Sequence, residues 1–463
     1  MRQSVSHRPV PQRPVPLPSR LAVGELAWRS VCSVGAALDP AGSALPDPDR
    51  IAAAYRSDRH LLVDGVAPDV WSPLSRFWQV TDGWVRTHGN YPHHAAALRA
   101  GLGLPPDAGA DEVGERLAAR TADAATAAIV GAGGLCAPVR REDRSRDAAL
   151  RGHPLVETTR VAHSPARPLR PASPAAPLAG VRVVDLTRVI AGPVATRTLA
   201  FAGADVLRID PPHLPEPEWQ HLDTGHGKRS ALLDVAFDRP RLDALLADAD
   251  VVVLGYRPAA LAHLGLTPGS LAGRHPHLVI AQLSAWPGDD SHRGFDSLVQ
   301  AESGISWLES SDMATPGALP AQALDHSAGY LLAAAVIGAL RRRAEEGGGW
   351  LVRTSLRQVA AELLGMPGAQ SLPSMPPHPC GPRSSRSRDS ASPPWHPPCG
   401  GRGLRIHSVR RAGGVQTPPH GGEHGDHAGS ADALRRPSAT MTMATESTSV
   451  PAPHSPHAGG STR

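Results

Sequence analysis

Short apolar runs alternate with longer amphipathic segments between residues 178 and 365, and each run predicts a buried strand. Strands are predicted in this way at 181–186, 205–209, 250–254, 278–283 and 350–356. Helices are predicted at 193–202, 240–246 and 324–343. Because such runs separated by helices are typical of parallel strands covered on both faces, we expect an α/β fold. Its parallel sheet is flanked by helices in a Rossmann-like domain over 178–365.

The pattern before this region differs and predicts a smaller α+β domain over 21–156. FWQVTDGWVRTH predicts a hairpin over 77–88, with Asp82-Gly83 as its turn. Helical periodicity follows at 92–104 and again at 111–132, where a break is expected near Thr121. The apolar run LCAPV at 135–139 predicts a further short strand.

Three segments lack the apolar periodicity of a folded core. Residues 1–20 are rich in Pro and Arg and predict disorder, and the Pro/Ala-rich stretch 157–177 predicts a linker. Residues 366–463 are rich in Pro, Ser, Gly and His, so they cannot bury enough apolar surface to offset chain entropy. A disordered tail without catalytic residues is expected there. A natural tail and the product of a translated frameshift both explain the abrupt change.

Composition and charge exclude several classes of protein. The formal net charge of +4 over 463 residues is too small and too dispersed for a nucleic-acid binder. The four cysteines lie far apart, no Cys/His spacing fits a metal site, and no apolar run is long enough to span a membrane. The N-terminal residues also lack the apolar core of a secretory signal. We therefore expect a cytoplasmic protein without a bound metal.

Cationic side chains are concentrated at the predicted strand ends and in the adjoining loops. They are Arg188, Arg208, Lys228, Arg229 and Arg257, and Lys228 is the only lysine in the chain. Open α/β sheets bind ligands where strands end, and several cations there suit a phosphorylated ligand. The first strand is followed by TRVIAGP without a GxGxxG motif, so a dinucleotide-dependent oxidoreductase is weakly supported.

An ordered series of segments resembles the family III CoA-transferases, of the CaiB/BaiF type. It consists of GVRVVDLTRVIAGPVATRTLAFAGADVLRID, GHGKRSALLDV, ADVVVLGYRPAALAHLGL, RGFDSLVQAESG, ALDHSAGYLLAAAVIGAL and GGGWLVRTSL. That family includes formyl-CoA transferase, carnitine CoA-transferase and α-methylacyl-CoA racemase. The resemblance implies a ring-like homodimer, with acyl-CoA and a carboxylic acid as substrates. Coenzyme A is then a cosubstrate, and no further cofactor is implied.

The resemblance places Asp325 at the position of the family's catalytic aspartate, which attacks a thioester and forms an acyl-aspartyl anhydride. A carboxylate nucleophile divides acyl transfer into two easier steps. The alternative for an Asp at a helix start is an N-cap. The two roles are compatible, because the N-terminus of a helix also stabilises a carboxylate anion.

The resemblance also implies a site for CoA. Val189, Ile190 and Ala191 match the loop that meets CoA, and Arg208 and Lys228 match cations expected near its phosphates. Tyr256 and Arg257 match a segment that lines the adenine pocket, where Gly255 replaces the family's usual Asn.

Departures from the family leave alternatives open. Phe295 occupies the position of the racemase histidine and cannot transfer a proton, so an acyl-CoA racemase is disfavoured. The segments of the predicted smaller domain, residues 21–156 and here called the N-terminal block, resemble later parts of the family, so the chain is similar to a permuted or partial member. No GGGGQ-like loop follows Leu356. A non-catalytic acyl-CoA binding paralogue is therefore the rival of a CoA-transferase.

Overall fold

The structure is a computed structural model that describes residues 13–40, 45–170, 173–289 and 291–368. The disorder predicted for 1–12 and for most of the C-terminal tail falls outside these ranges.

Ten strands and sixteen helices are formed by the described residues. The strands are β1 (Phe77–Val80), β2 (Gly83–Thr87), β3 (Cys136–Pro138), β4 (Glu157–Ala162), β5 (Arg182–Leu186), β6 (Asp205–Asp210), β7 (Arg229–Leu232), β8 (Val251–Leu254), β9 (Val279–Ser284) and β10 (Gly349–Ser355). The helices are α1 (Val23–Leu38), α2 (Pro48–Tyr55), α3 (Ser57–His60), α4 (Pro92–Leu102), α5 (Ala110–Ala118), α6 (Ala122–Gly131), α7 (Arg144–Arg151), α8 (Ala191–Phe201), α9 (Glu218–Thr224), α10 (Arg239–Asp248), α11 (Pro258–His263), α12 (Pro268–Arg274), α13 (Asp296–Ser303), α14 (Ile305–Leu308), α15 (Ala323–Glu346) and α16 (Leu356–Gly365).

A seven-stranded sheet with the order β4-β10-β9-β8-β5-β6-β7 forms the centre of the fold. All neighbouring pairs are parallel except β4 and β10. Alternate residues of one strand bury themselves on opposite faces: Val251 and Val253 join one apolar core, whereas Val252 and Leu254 join the other. The predicted α/β fold with a helix-flanked parallel sheet is therefore confirmed.

The antiparallel strand β4 corrects the prediction for residues 157–177. This stretch was expected to be a Pro/Ala linker throughout, yet its first six residues pair with β10 at the edge of the sheet. The proline-rich part begins only at Pro165, after the strand has ended. No alternation of buried and exposed positions marks Glu157–Ala162 as a strand, because every side chain of this edge strand is half-buried or exposed.

Residues 13–55 also differ from expectation, because they pack against the α/β core. Val15 and Leu17 are buried in the apolar core on one face of the sheet, although residues 1–20 were predicted to be disordered. Helix α1 lies against α15 and contributes Leu26 and Val31 to the same core. The domain predicted over 21–156 therefore supplies its first two helices to the larger domain.

The rest of the N-terminal block forms a small unit with the predicted elements. Strands β1, β2 and β3 make an antiparallel sheet, and the β1–β2 hairpin turns at Thr81-Asp82, one residue before the predicted Asp82-Gly83, because Gly83 already pairs with Val80. The expected helix break occurs at Thr121, which accepts a hydrogen bond from the Ala124 N–H and caps α6. A separate apolar core that includes Trp78 and Ile129 holds the unit together.

Helix α15 lies at the centre of the described structure and contacts α1, α8 and the sheet. It is long and apolar enough to cross a membrane, but 78% of its most apolar window is buried within the protein. Its apolar length is explained by burial on nearly all sides.

Candidate active site

The carboxyl ends of β5 and β8 define a crevice at the centre of the sheet. From β5 the chain adds β6 and β7 on one side and, after returning, β8, β9 and β10 on the other. Such a reversal of strand order is where open α/β sheets bind their ligands. The predicted CoA-binding segments 189–191 and 256–257 follow β5 and β8, so the topology brings them to one crevice.

The loop after β5 has an unusual backbone conformation. Val189 has a φ of 72°, a left-handed conformation that is strained for a β-branched residue. Ile190 then occupies the N-cap position of α8, and Ala191 is its first residue. The next position, Gly192, requires glycine, because a Cβ there would lie 2.4 Å from the Thr187 Cβ. The strained loop directs the N-terminus of α8 toward the crevice.

Helix α15 packs directly against this loop. A Cβ at Gly329 would lie 2.5 Å from the carbonyl oxygen of Ala191, so only glycine allows this close approach. Gly329 is four residues after Asp325 and therefore lies on the same side of α15. The predicted nucleophile and the predicted CoA loop are thus brought to one side of the fold.

Asp325 is buried in the first turn of α15, with 6% of its surface exposed. The N-cap of the helix is Gln322, so the alternative role of Asp325 as the N-cap is wrong. Instead, Asp296 of α13 accepts the Asp325 N–H through Oδ2 at 2.9 Å. The side-chain amide of Gln300 donates to the other oxygen of Asp296. Asp296 therefore performs the capping that was assigned to Asp325.

Two neighbouring carboxyl groups consequently share this buried site. Burial raises the pKa of Asp296 to about 6, although its hydrogen bonds to the Asp325 and Leu324 amides and to Gln300 oppose the rise. Burial and the charge of Asp296 raise the pKa of Asp325 well above its ordinary value. The expectation that the helix N-terminus keeps Asp325 ionised is corrected, because its amides are directed to Asp296.

The guanidinium of Arg208 lies at the end of β6 and is bound by carboxylates. It donates two 2.9 Å hydrogen bonds to Asp210 and one of 2.9 Å to Glu216. Only 1% of its side chain is exposed. The predicted contact between Arg208 and a CoA phosphate would therefore be left to its buried Nη1, which has no hydrogen-bond partner among the described residues.

Glu216 connects this arginine to the N-terminal block. Its carboxylate accepts a 2.6 Å hydrogen bond from the Tyr91 hydroxyl and a 3.3 Å bond from the Val189 N–H. Arg188 lies 3.5 Å from the same carboxylate and 4.6 Å from the centre of the Tyr91 ring. The N-terminal block therefore forms part of the crevice wall.

Lys228 is enclosed behind the crevice. Its ammonium donates to Asp185 at 3.1 Å and to the Pro193 carbonyl at 2.9 Å, and its side chain is 1% exposed. Burial lowers the pKa of Lys228 to about 8, and Asp185 opposes that shift. A direct contact between Lys228 and a ligand phosphate would require this ion pair to open.

Tyr256 and Arg257 follow β8, as the resemblance implies. The hydroxyl of Tyr256 is buried and has no hydrogen-bond partner among the described residues. Arg257 donates a long hydrogen bond of 3.4 Å to the Ser291 carbonyl. A Cβ at Gly255 would lie 3.0 Å from the Thr187 Cβ, so an Asn at this position would have to displace Thr187.

A buried histidine contacts the residue that replaced the racemase histidine. The ring of His88 stacks on Phe295 with their centroids 4.0 Å apart. Burial lowers the pKa of His88 to about 3, so this imidazole is neutral. Of the described residues, no group of three or more His, Cys, Asp or Glu is arranged to hold a metal ion.

Sequence reasoning did not identify Asp296, Glu216, Tyr91 or His88 as site residues. Asp296 lies within the RGFDSLVQAESG segment that carries the resemblance, and the available signal was its place at the start of a helix. The contacts of Glu216, Tyr91 and His88 join segments far apart in sequence, so no spacing rule could reveal them.

The sequence comparisons match the α/β region. The model of the family described as CoA-transferase family III matches residues 178–395. A probable fatty acyl-CoA transferase of Mycobacterium tuberculosis is 33% identical over 204 residues, which cover 40% of this chain and 52% of the relative. An acetyl-coenzyme A transferase of Hypoxylon pulicicidum is 37% identical over 206 residues, covering 42% of this chain and 34% of the relative. The chain spans about half the length of the first relative and a third of the second.

Solved structures match over the same extent. A crystal structure of a Mycobacterium tuberculosis protein is 34% identical, with a TM-score of 0.39 over 41% of this chain and 56% of that protein. A CaiB/BaiF family protein from Brucella suis is 27% identical, with a TM-score of 0.37 over the same shares of the two chains.

Proposed function

The α/β region of this chain belongs to the family III CoA-transferases, and from that premise we propose that the protein moves CoA from an acyl-CoA to a carboxylic acid. The named relatives include formyl-CoA:oxalate and cinnamoyl-CoA:phenyllactate CoA-transferases, which support this type of reaction. Asp325 is the nucleophile in the proposal, and an acyl-aspartyl anhydride is its first intermediate.

The observation that carries the proposal is that Asp325 is buried on the helix that packs, through Gly329, against the 189–191 loop. The close packing of Gly329 on Ala191 fixes α15 against the N-terminus of α8. A thioester bound in the crevice would then be held near the Asp325 carboxylate, which makes the attack effectively unimolecular. The partly desolvated carboxylate is also a stronger nucleophile than one surrounded by water.

Four acyl transfers complete the proposed reaction. The Asp325 carboxylate attacks the thioester carbonyl, the C–S bond breaks, and CoA leaves as a thiolate. The thiolate attacks the aspartyl carbonyl of the anhydride, which releases the donor acid and leaves an aspartyl-CoA thioester. The acceptor carboxylate attacks this thioester and expels the thiolate again. The thiolate then attacks the acceptor's acyl carbon, which yields the new acyl-CoA and restores Asp325.

Asp296 is a positioning residue in this scheme. It holds the backbone of Asp325 through the 2.9 Å hydrogen bond and keeps its own negative charge beside the nucleophile. That charge opposes ionisation of Asp325, so the active form accumulates as the pH rises. Val189, Ile190, Ala191, Tyr256 and Arg257 are proposed to contact CoA, with Arg208 and Lys228 supporting the pocket. By resemblance to the family, we also propose a cytoplasmic homodimer.

The test is to trap the anhydride. The protein is incubated with a panel of acyl-CoAs and then with hydroxylamine, and the peptide containing Asp325 is examined by mass spectrometry for a hydroxamate. Asp325→Asn should bind CoA but show no exchange. The matched control is Asp312→Asn, which changes an exposed carboxylate outside the site.

Two results would contradict the proposal in different ways. Exchange of CoA by Asp325→Ala at the wild-type rate would remove Asp325 from the mechanism. A wild-type protein that binds CoA but forms no adduct with any acyl-CoA would instead favour the non-catalytic acyl-CoA binding paralogue.

A further inference from the structure

A separate cavity of about 260 Å³ lies between the N-terminal block and the first turn of α15. Gln300 and Gln322 form part of its wall on the α/β side. Trp71, Phe77 and Arg86 form the wall on the side of the N-terminal block. None of these three residues was singled out by the family resemblance, and the CoA crevice does not include them.

Arg86 is a cation without an anionic partner in this cavity. No carboxylate of the described residues lies within 4.0 Å of its guanidinium, and its buried Nε has no hydrogen-bond acceptor. The guanidinium lies 4.9 Å from the centre of the Phe77 ring and 5.4 Å from that of Trp71. Burial lowers the pKa of Arg86 to about 10, so it remains charged at neutral pH.

Ser297 supplies a second polar group to the same cavity. Its residue surface is 6% exposed, and its buried hydroxyl has no hydrogen-bond partner in the described ranges. Buried polar groups in native proteins are nearly always hydrogen-bonded. The guanidinium and the hydroxyl are both donors, and both would be satisfied by the oxygens of one anion.

The net charge of the wall limits that anion to a small negative charge. Asp58 and Arg59 also line the cavity and carry opposite charges, so they balance each other. Arg86 then leaves one uncompensated positive charge. Ala318, Leu319 and the two aromatic rings complete an apolar wall, which suits the carbon skeleton of an organic monoanion.

The cavity is connected to the buried carboxyl pair by hydrogen bonds. Gln300 on its wall accepts the Leu319 N–H at 2.9 Å and donates to Asp296. Asp296 in turn accepts the N–H of Asp325. A ligand in the cavity would therefore lie one hydrogen-bonded residue away from Asp296.

We propose that this cavity binds the acceptor of the reaction, a small monocarboxylic acid, with its carboxylate on Arg86 and Ser297. The inference rests on the proposed function and adds the charge, size class and recognition residues of the acceptor. Ligand pockets for larger molecules usually have volumes of about 300–1,000 Å³, so this cavity suits a short carbon chain. The N-terminal block thereby supplies the specificity of a site whose nucleophile belongs to the α/β region.

The test measures binding of hexanoate to the full chain by calorimetry, without any acyl-CoA. Wild type should bind hexanoate, and uncharged hexanamide should bind at least tenfold more weakly. Arg86→Gln should lower the affinity for hexanoate about tenfold or more, because charge-assisted hydrogen bonds are among the stronger contacts. Arg76→Gln is the matched control: that guanidinium also lies over a tryptophan, 5.1 Å from the Trp78 ring centre, but it is exposed and outside the cavity.

A second variant guards against misfolding of Arg86→Gln. Ala318 is exposed at the cavity, so Ala318→Phe should narrow it without disturbing the core. The affinity for hexanoate should then fall at least fivefold, whereas the affinity for acetate should be unchanged. Equal hexanoate affinity in wild type, Arg86→Gln and Ala318→Phe would overturn the inference, as would an equal loss in Arg76→Gln.

Failure of this inference is distinguishable from failure of the proposed function. If CoA exchange proceeds and Arg86→Gln leaves the acceptor KM unchanged, the cavity is not the acceptor site although the transferase assignment stands. If hexanoate binds through Arg86 but no acyl-CoA exchanges CoA, the carboxylate site stands and the transferase assignment fails.

Discussion

The two buried carboxyl groups of Asp296 and Asp325 at the start of α15 predict an unusual dependence of stability on pH. Raising the pKa of the buried Asp296 from 3.8 to about 6 means that the folded protein binds this proton more tightly than the unfolded chain does. The associated stabilisation is fully present below pH 3.8 and is lost as pH rises through about 6. At 1.36 kcal/mol for each tenfold change, the loss is about 3 kcal/mol.

Replacing Asp296 by Asn removes the titrating group and its negative charge but keeps the shape of the side chain. Asn keeps one acceptor oxygen and turns its NH2 group toward one of the two donors, Gln300 Nε2 or the Asp325 N–H, so at pH 4 the variant should be about 1 kcal/mol less stable than wild type. At pH 8 the relief of the buried charge outweighs that loss, and the variant should be about 2 kcal/mol more stable. The accompanying fall in the pKa of Asp325 acts in the same direction.

The assay is urea unfolding of both proteins at intervals from pH 4 to pH 8, with the midpoint and slope fitted at each pH. The difference in unfolding free energy should change sign between the two ends of the range. Glu345→Gln, an exposed carboxylate in the last turn of the same helix, is the control and should not change sign. Parallel curves for wild type and Asp296→Asn would refute the argument that burial raises the pKa of Asp296.

Two further predictions concern contacts that hold the fold around the site. Lys228→Met leaves Asp185 buried without its cation, so it should lower the free energy of unfolding by about 3–5 kcal/mol in urea titrations. Arg229→Met is its control, because this neighbour pairs with Asp205 at the surface and should cost less than about 1 kcal/mol; equal losses would show that Lys228 is not a buried ion partner. Cleavage of the chain between residues 165 and 170 should leave both fragments together in gel filtration, because β4 pairs with β10 and α1 packs on α15. Separation of the fragments without denaturant would contradict those contacts.

Local sequence patterns were sufficient for the elements whose signals are local. The apolar runs around Val183 and Val252 specified strands buried on both faces, and Asp82-Gly83 predicted the hairpin turn to within one residue of its observed place at Thr81-Asp82. The break between α5 and α6 could also be predicted, because Thr121 caps a helix with its own side chain. The position of Asp325 came from an ordered series of motifs. For the strands, the turn and the helix cap, the deciding interactions lie within a few residues or repeat with a fixed period, whereas Asp325 was assigned by family resemblance.

The tertiary structure decided which charges are available and which are already occupied. Lys228 and Arg208 have the same apparent suitability for phosphate in the sequence, but folding encloses both against carboxylates. Asp296 became the partner of Asp325 only because the first turn of α13 lies beside the first turn of α15. Arg86 and Ser297 face one cavity although they lie 211 positions apart in the chain. Burial and pairing of a charge depend on segments distant in sequence, so a pattern along the chain specifies the strands and helices but not the electrostatics of their assembly.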